Sequence, residues 1–315
     1  MYRKLYVFMA IIPVLTLLTQ CSKMNKVELV YDAQAGVGEG ALWDYENNRL
    51  LWIDITGKAL FIYNPQLKSM NSYAMPKEIG TVVPIDSDNV LLALADGMYE
   101  FHISTKKLVQ KSRPDIDTSL VRFNDGKCSP DGKLWVGTMD HGVSKPIAAL
   151  YRVSGDYSIR QMVDGVTVSN GITWSPDGKT MYYIDSPTYT VVAYDYDINR
   201  SEISNKRIII HTPKEWGTPD GNTIDSEGML WVAHWGGGLV SRWNTTTGEL
   251  LDTIRVPSPN VTSVALGGSN MKTLFITTAR NWMKPGDEQK YPHAGGLFAV
   301  EVTVPGIKSH YFKIK

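Results

Sequence analysis

Cysteine is nearly missing from this chain: of its 315 residues only Cys21 and Cys128 carry a thiol. Their spacing matches no metal motif, which excludes a thiolate zinc centre and leaves no disulfide framework. A surplus of one charge is missing as well. Lysine plus arginine and aspartate plus glutamate both number 32, and the basic residues are scattered, so the chain lacks the basic face that a phosphate backbone requires. A nucleic-acid partner is therefore not expected. No amphipathic helical stretch of more than about ten residues follows the N-terminus, and no Gly-x-Ser-x-Gly elbow exists, which disfavours a serine hydrolase. What the chain does have is 43% hydrophobic and only 20% charged residues, enough apolar surface to bury a sizeable core.

The first residues read separately from the rest. Arg3 and Lys4 precede an apolar run from Leu5 to Leu18, interrupted by Pro13 and followed by Thr19-Gln20-Cys21. This is the layout of a secretory signal, and the run is short for a membrane span. A cysteine directly after the apolar region resembles a bacterial lipobox, although Gln20 departs from the small residue usual there. Residues 1–24 are expected to act as an export signal and residues 25–315 to form the folded protein. The expected location is the periplasm, with membrane contact only through a lipid on Cys21. An uncleaved anchor is the alternative.

An internal repeat organises the remainder. Six segments run from a polar turn with Asp, Asn or Gly into a short strand rich in aromatic or β-branched residues. Their strands begin at Leu51, Leu91, Leu134, Met181, Leu230 and Leu274, giving spacings of 40, 43, 47, 49 and 44 residues. About 40 to 50 residues is the length of one four-stranded propeller blade. The turns agree: Asp131-Gly132 and Asp177-Gly178 between apolar runs suit tight hairpins, because glycine accepts positive φ without a Cβ penalty. The expected fold is all-β, a single six-bladed β-propeller.

In a propeller, polar residues on the innermost strands converge on a central channel. Four stretches place acidic or amide residues beside glycine just upstream of a repeat turn: Gly38-Glu39-Gly40, Asn124-Asp125-Gly126, Asn170-Gly171 and Asp220-Gly221. Glu39, Asn124, Asn170 and Asp220 precede their repeat strands by 12, 10, 11 and 10 residues, so they hold equivalent places in four blades and should face one another. Buried together and unpaired, two carboxylates and two carboxamides would be costly, and a divalent cation removes that cost. An all-oxygen set suits Ca²⁺ first, Mg²⁺ or Mn²⁺ next, and Zn²⁺ less naturally. Taken one at a time, each stretch also reads as a plain turn.

These residues resemble the senescence marker protein, regucalcin and gluconolactonase family, over roughly Gly36 to Val302. The resemblance rests on Gly38-Glu39-Gly40 with Trp43-Asp44, Arg122-Phe123-Asn124-Asp125-Gly126-Lys127, Ser169-Asn170-Gly171, Pro219-Asp220-Gly221 and Trp235-Gly236-Gly237-Gly238, in the family's order. It implies that Glu39, Asn170 and Asp220 bind one metal ion, with Asn124 close by. It implies further that Arg122 and Asn124 contact the substrate and that Asp220 doubles as general base in opening a sugar lactone. One departure bears on the substrate: where sugar-binding members carry an acidic stretch, this chain has Asp140-His141-Gly142. Two rival functions share the scaffold, another metal-dependent esterase or phosphotriesterase and a non-enzymatic calcium-binding propeller. His234, His141 and His293 read as hydrogen-bonded strand or loop residues, Cys128 as a small buried hydrophobe, and the nine tryptophans as mostly blade packing.

Overall fold

The computed structural model describes Tyr2 and residues 26–315; the apolar run and Cys21 lie outside the described residues. Those residues form six four-stranded antiparallel sheets, with only one four-residue α-helix and two short 3₁₀ turns between them. Five sheets are meanders in chain order, and their first strands are Gly38–Asp44, Ile79–Pro84, Val121–Cys128, Ser169–Trp174 and Thr218–Ile224. Asn260–Gly267 is the first strand of blade 6. These six strands pack against one another around a ring and are its inner wall. The repeat strands recognised in the sequence are the second strand of each blade, for example Arg49–Asp54 and Leu230–Trp235. At the turns before them Gly132, Gly178 and Gly228 hold φ of +81°, +70° and +78°, values that a side chain at Cβ would oppose.

The ring closes by exchange of its ends. Blade 6 runs in the order Glu28–Tyr31, Leu297–Glu301, Thr273–Ala279, Asn260–Gly267, so its outermost strand comes from the start of the folded chain. The opposite end straps one face of the ring. Gly306, Phe312, Lys313 and Lys315 donate backbone N–H groups to the carbonyls of Met271, Pro84, Gly132 and Gly155 at 2.7–3.1 Å. Together with Ser309 and His310 this tail covers a channel cavity of about 50 Å³ lined by Cys128 and Thr173. These contacts leave the other end, the mouth, where the inner strands begin, free of the tail.

Between blades the core is aromatic and β-branched. Trp52, Trp135 and Trp174 are fully buried, and Trp135, Trp174 and Tyr196 meet edge to face with centroids 5.7–6.4 Å apart. Such pairs add about 0.5–1.5 kcal/mol beyond the area they bury.

Candidate active site

Every inner strand carries a register shift near its mouth end: between Glu39 and Leu42, Ile79 and Thr81, Phe123 and Gly126, Asn170 and Ile172, Pro219 and Asn222, and Val261 and Ser263. A bulge turns the strand locally and re-aims side chains that simple alternation would send elsewhere. The four candidate residues sit at these bulges and all are buried: Glu39, Asn124, Asn170 and Asp220. Their entry is held by a carboxylate at the end of the neighbouring strand. Asp54 accepts from Gly36 N and Val37 N at 2.9 and 3.0 Å, and Asp185 accepts from Val168 N at 2.8 Å. Each lies fifteen residues beyond its candidate ligand, Glu39 or Asn170, so the same brace recurs in blades 1 and 4.

Direct contacts join the four in two pairs, the amides and the carboxyls. Asn124 Nδ2 donates to Asn170 Oδ1 and to Ser169 O, both at 2.8 Å. Asn170 Nδ2 donates to Ser186 Oγ at 2.8 Å, and that hydroxyl donates to Pro219 O at 2.7 Å, beside Asp220. With its amide nitrogen so engaged, Asn170 presents Oδ1 to the cluster. Glu39 and Asp220 lie within side-chain hydrogen-bonding reach of each other. Burial first, then repulsion from Asp125, raises the Glu39 carboxyl from its ordinary 4.5 to about 8. Burial and the nearby Glu39 raise Asp220 well above the usual carboxylate range. Two buried carboxyls in this relation hold a proton between them at neutral pH unless a cation replaces it. The oxygen-only donor set and its excess of buried negative charge thus fit a hard divalent ion.

Arg122 stands beside this cluster. Its Nη1 donates to Phe123 O and to Asn124 Oδ1, both at 2.9 Å, and its Nε lies 3.6 Å from Glu78 Oε2. At the position equivalent to the four candidates, blade 2 has no side chain, for a steric reason. A Cβ on Gly80 would come within 2.6–2.7 Å of the Phe123 and Asn124 backbone, so only glycine lets the two strands approach.

Three features escaped the sequence reading. Asp125 is buried at the same cluster as Asn124. Strict alternation would separate these neighbours, and only the bulge brings both to the channel. Lys127 is half-buried further in, donates to Asn222 O at 2.8 Å, and supplies positive charge near Asp125. Trp282 departs from the expectation that tryptophans pack blades: it is 70% exposed, has a left-handed φ of +57°, and its ring is 6.0 Å from that of Trp235. The histidines play other parts. His234 is fully buried with Nε2 2.7 Å from Ser241 Oγ, and burial lowers its pKa to about 4, so it is neutral. His141 and His293 contact Thr118 O and Asp32 Oδ2. Cys128 is buried and its thiol is pushed well up by burial. Among the described residues no group of three or more His, Cys, Asp or Glu side chains is arranged to hold a metal ion by itself.

Residues 37–280 match the sequence model of the SMP-30/Gluconolactonase/LRE-like region. YvrE of Bacillus subtilis (strain 168), provisionally assigned as a sugar lactone lactonase, is 38% identical over 275 residues, covering 87% of this chain and 94% of its own length. Regucalcin of Oryctolagus cuniculus is 34% identical over 288 residues, covering 90% of this chain and 96% of its own. A luciferin-regenerating enzyme superposes with a TM-score of 0.85 at 31% identity over 92% of this chain and 99% of that one. A calcium-binding regucalcin from Agrobacterium tumefaciens str. C58 shares the fold, with a TM-score of 0.88 at 24% identity over 92% and 98% of the two chains.

Proposed function

The chain belongs to the SMP-30/Gluconolactonase/LRE-like family, and from that footing we propose that it is a hydrolase that opens small sugar lactones with the help of one divalent metal ion. The main support is the convergence from three blades of Glu39, Asn170 and Asp220 on one buried, negatively charged point, with Asn124 and Arg122 adjoining from a fourth. Glu39, Asn170 and Asp220 would hold the ion, Ca²⁺ being the best match to the donors. When bound, a divalent ion polarises an ester carbonyl and makes nearby water more acidic.

The chain's own residues account for the other requirements. Arg122 and Asn124 bind and orient the lactone at the mouth. The Asp220 carboxylate takes a proton from the attacking water as the new carbon–oxygen bond forms. The bond from the carbonyl carbon to the ring oxygen then breaks, and the departing oxygen takes the proton that Asp220 accepted, leaving a hydroxy acid and restoring the carboxylate. Burial of the carboxyl excludes bulk water from competing for its proton.

A panel of aldonolactones and aryl esters, assayed with and without chelator, tests this reading. Lactone hydrolysis that chelator abolishes is expected. Aryl-ester activity without lactone activity would favour the rival esterase, and no hydrolysis at all would favour a binding protein. Within the panel, Arg122→Ala should raise KM more than it lowers kcat, because binding shared by ground and transition states acts on KM. An effect on kcat alone would instead make Arg122 a transition-state group.

We further propose that the protein is exported, on the strength of Arg3, Lys4 and the apolar run to Leu18. Fractionation of cells carrying the native N-terminus should find it outside the cytosol. Full-length protein in the cytosol would end this proposal, and loss of fatty-acid labelling in Cys21→Ala would assign the anchor.

A further inference from the structure

We propose that Glu78 and Arg122 form a hydroxyl-binding subsite beside the carboxylate cluster, which makes the protein select lactones with free ring hydroxyls over plain ones. The inference rests on the lactonase reading and adds the group that discriminates among lactones.

Glu78 comes from the segment leading into blade 2, and Gly80 lets that strand lie directly against Phe123 and Asn124. Its backbone is fixed, since Glu78 O accepts from Ala95 N at 3.0 Å. Its carboxylate accepts no hydrogen bond from the described residues. At 3.6 Å from Arg122 Nε it is near enough for attraction and too far for a hydrogen bond. The adjacent cation does not neutralise it, because Lys77 Nζ is turned to Asp96 Oδ2 at 2.5 Å. Arg122 is similarly incomplete. Nη1 is committed to Phe123 O and Asn124 Oδ1, and Nη2 has no hydrogen bond to the described residues.

An unfilled acceptor at Glu78 and an unfilled donor at Arg122 Nη2 thus stand side by side, their side chains 35% and 14% exposed. A hydroxyl, or a pair of neighbouring hydroxyls, satisfies both at once by donating to the carboxylate and accepting from the guanidinium. A lactone without hydroxyls would desolvate both charges and leave them unmatched, and sites built to hydrogen-bond a hydroxyl strongly reject analogues that lack it.

The test compares kcat/KM for D-glucono-δ-lactone and for δ-valerolactone in wild type, Glu78→Ala and Glu78→Gln. Wild type should prefer the hydroxylated compound. Glu78→Ala should cut that preference by about tenfold or more, chiefly through KM, in keeping with a lost hydrogen bond to a charged group. Glu78→Gln keeps an acceptor oxygen and should retain part of the preference, a rescue that general loosening of the loop would not produce. An active wild type whose preference moves less than about twofold in Glu78→Ala overturns the Glu78 assignment alone. A wild type inactive on both lactones overturns the lactonase reading and this inference with it.

Discussion

Asp220→Asn should lower lactone hydrolysis by about 10²-fold or more even with the metal ion at saturation, the lower end of what a general base contributes. The carboxamide keeps an oxygen that can ligate and nearly the same volume, but it cannot accept a proton at neutral pH. A second readout separates base from ligand. In metal-free protein Asp220 is a buried carboxyl that both Glu39 and Asp125 push up, so the neutral amide should raise the thermal midpoint while activity is lost. That opposition of stability and function is expected where like charges are gathered for a task. If Asp220→Asn regains wild-type kcat once metal is raised, Asp220 serves as a ligand only. The proton then goes elsewhere; buried His234 has its Nε2 against Ser241 Oγ and is poorly suited to take it.

Removing the divalent ion should have an effect of similar size, on the order of 10²-fold or more in activity, since Lewis-acid stabilisation amounts to several kcal/mol. It should also change how stability varies with pH. The Glu39 carboxyl is raised from 4.5 to about 8 in the folded chain. A carboxyl whose folded pKa lies above its unfolded value favours the folded state in full below the unfolded pKa, and this contribution is lost as pH rises through the folded one. Between those two values the metal-free protein should therefore lose stability from this cluster as pH rises. A cation that replaces the shared proton opposes the loss, and protons compete with it at lower pH. The rise in thermal midpoint on adding Ca²⁺ should accordingly be larger near pH 8 than near pH 5. Scanning calorimetry with matched buffers checks this. Equal increments at both values, or full activity in excess chelator, would remove the metal from the site.

The blades were legible because their signals are local. Turns such as Ser129-Pro130-Asp131-Gly132 and strands such as Leu134-Trp135-Val136 recur at blade spacing, and glycine at positive φ is a property of the turn alone. The common offset of Glu39, Asn124, Asn170 and Asp220 pointed to one place because repeats arranged in a ring bring equivalent positions together. What depends on tertiary contact was not legible. Pairing of Glu28–Tyr31 with Leu297–Glu301, and the strap from Gly306 to Lys315, join segments distant in the chain, and neither end carries a pattern that names its partner. The bulge that brings Asp125 alongside Asn124 breaks the two-residue alternation on which any reading of strand faces relies. Glu78 sits in a segment with no motif of its own and meets Arg122 because Gly80 lets two blades touch. Sequence by itself determined the repeat and the ring and singled out four equivalent inner-strand positions as candidates, since each follows from periodicity and residue chemistry. Only the tertiary structure decided which charges flank them, because side-chain proximity between blades depends on strand register and close backbone approach.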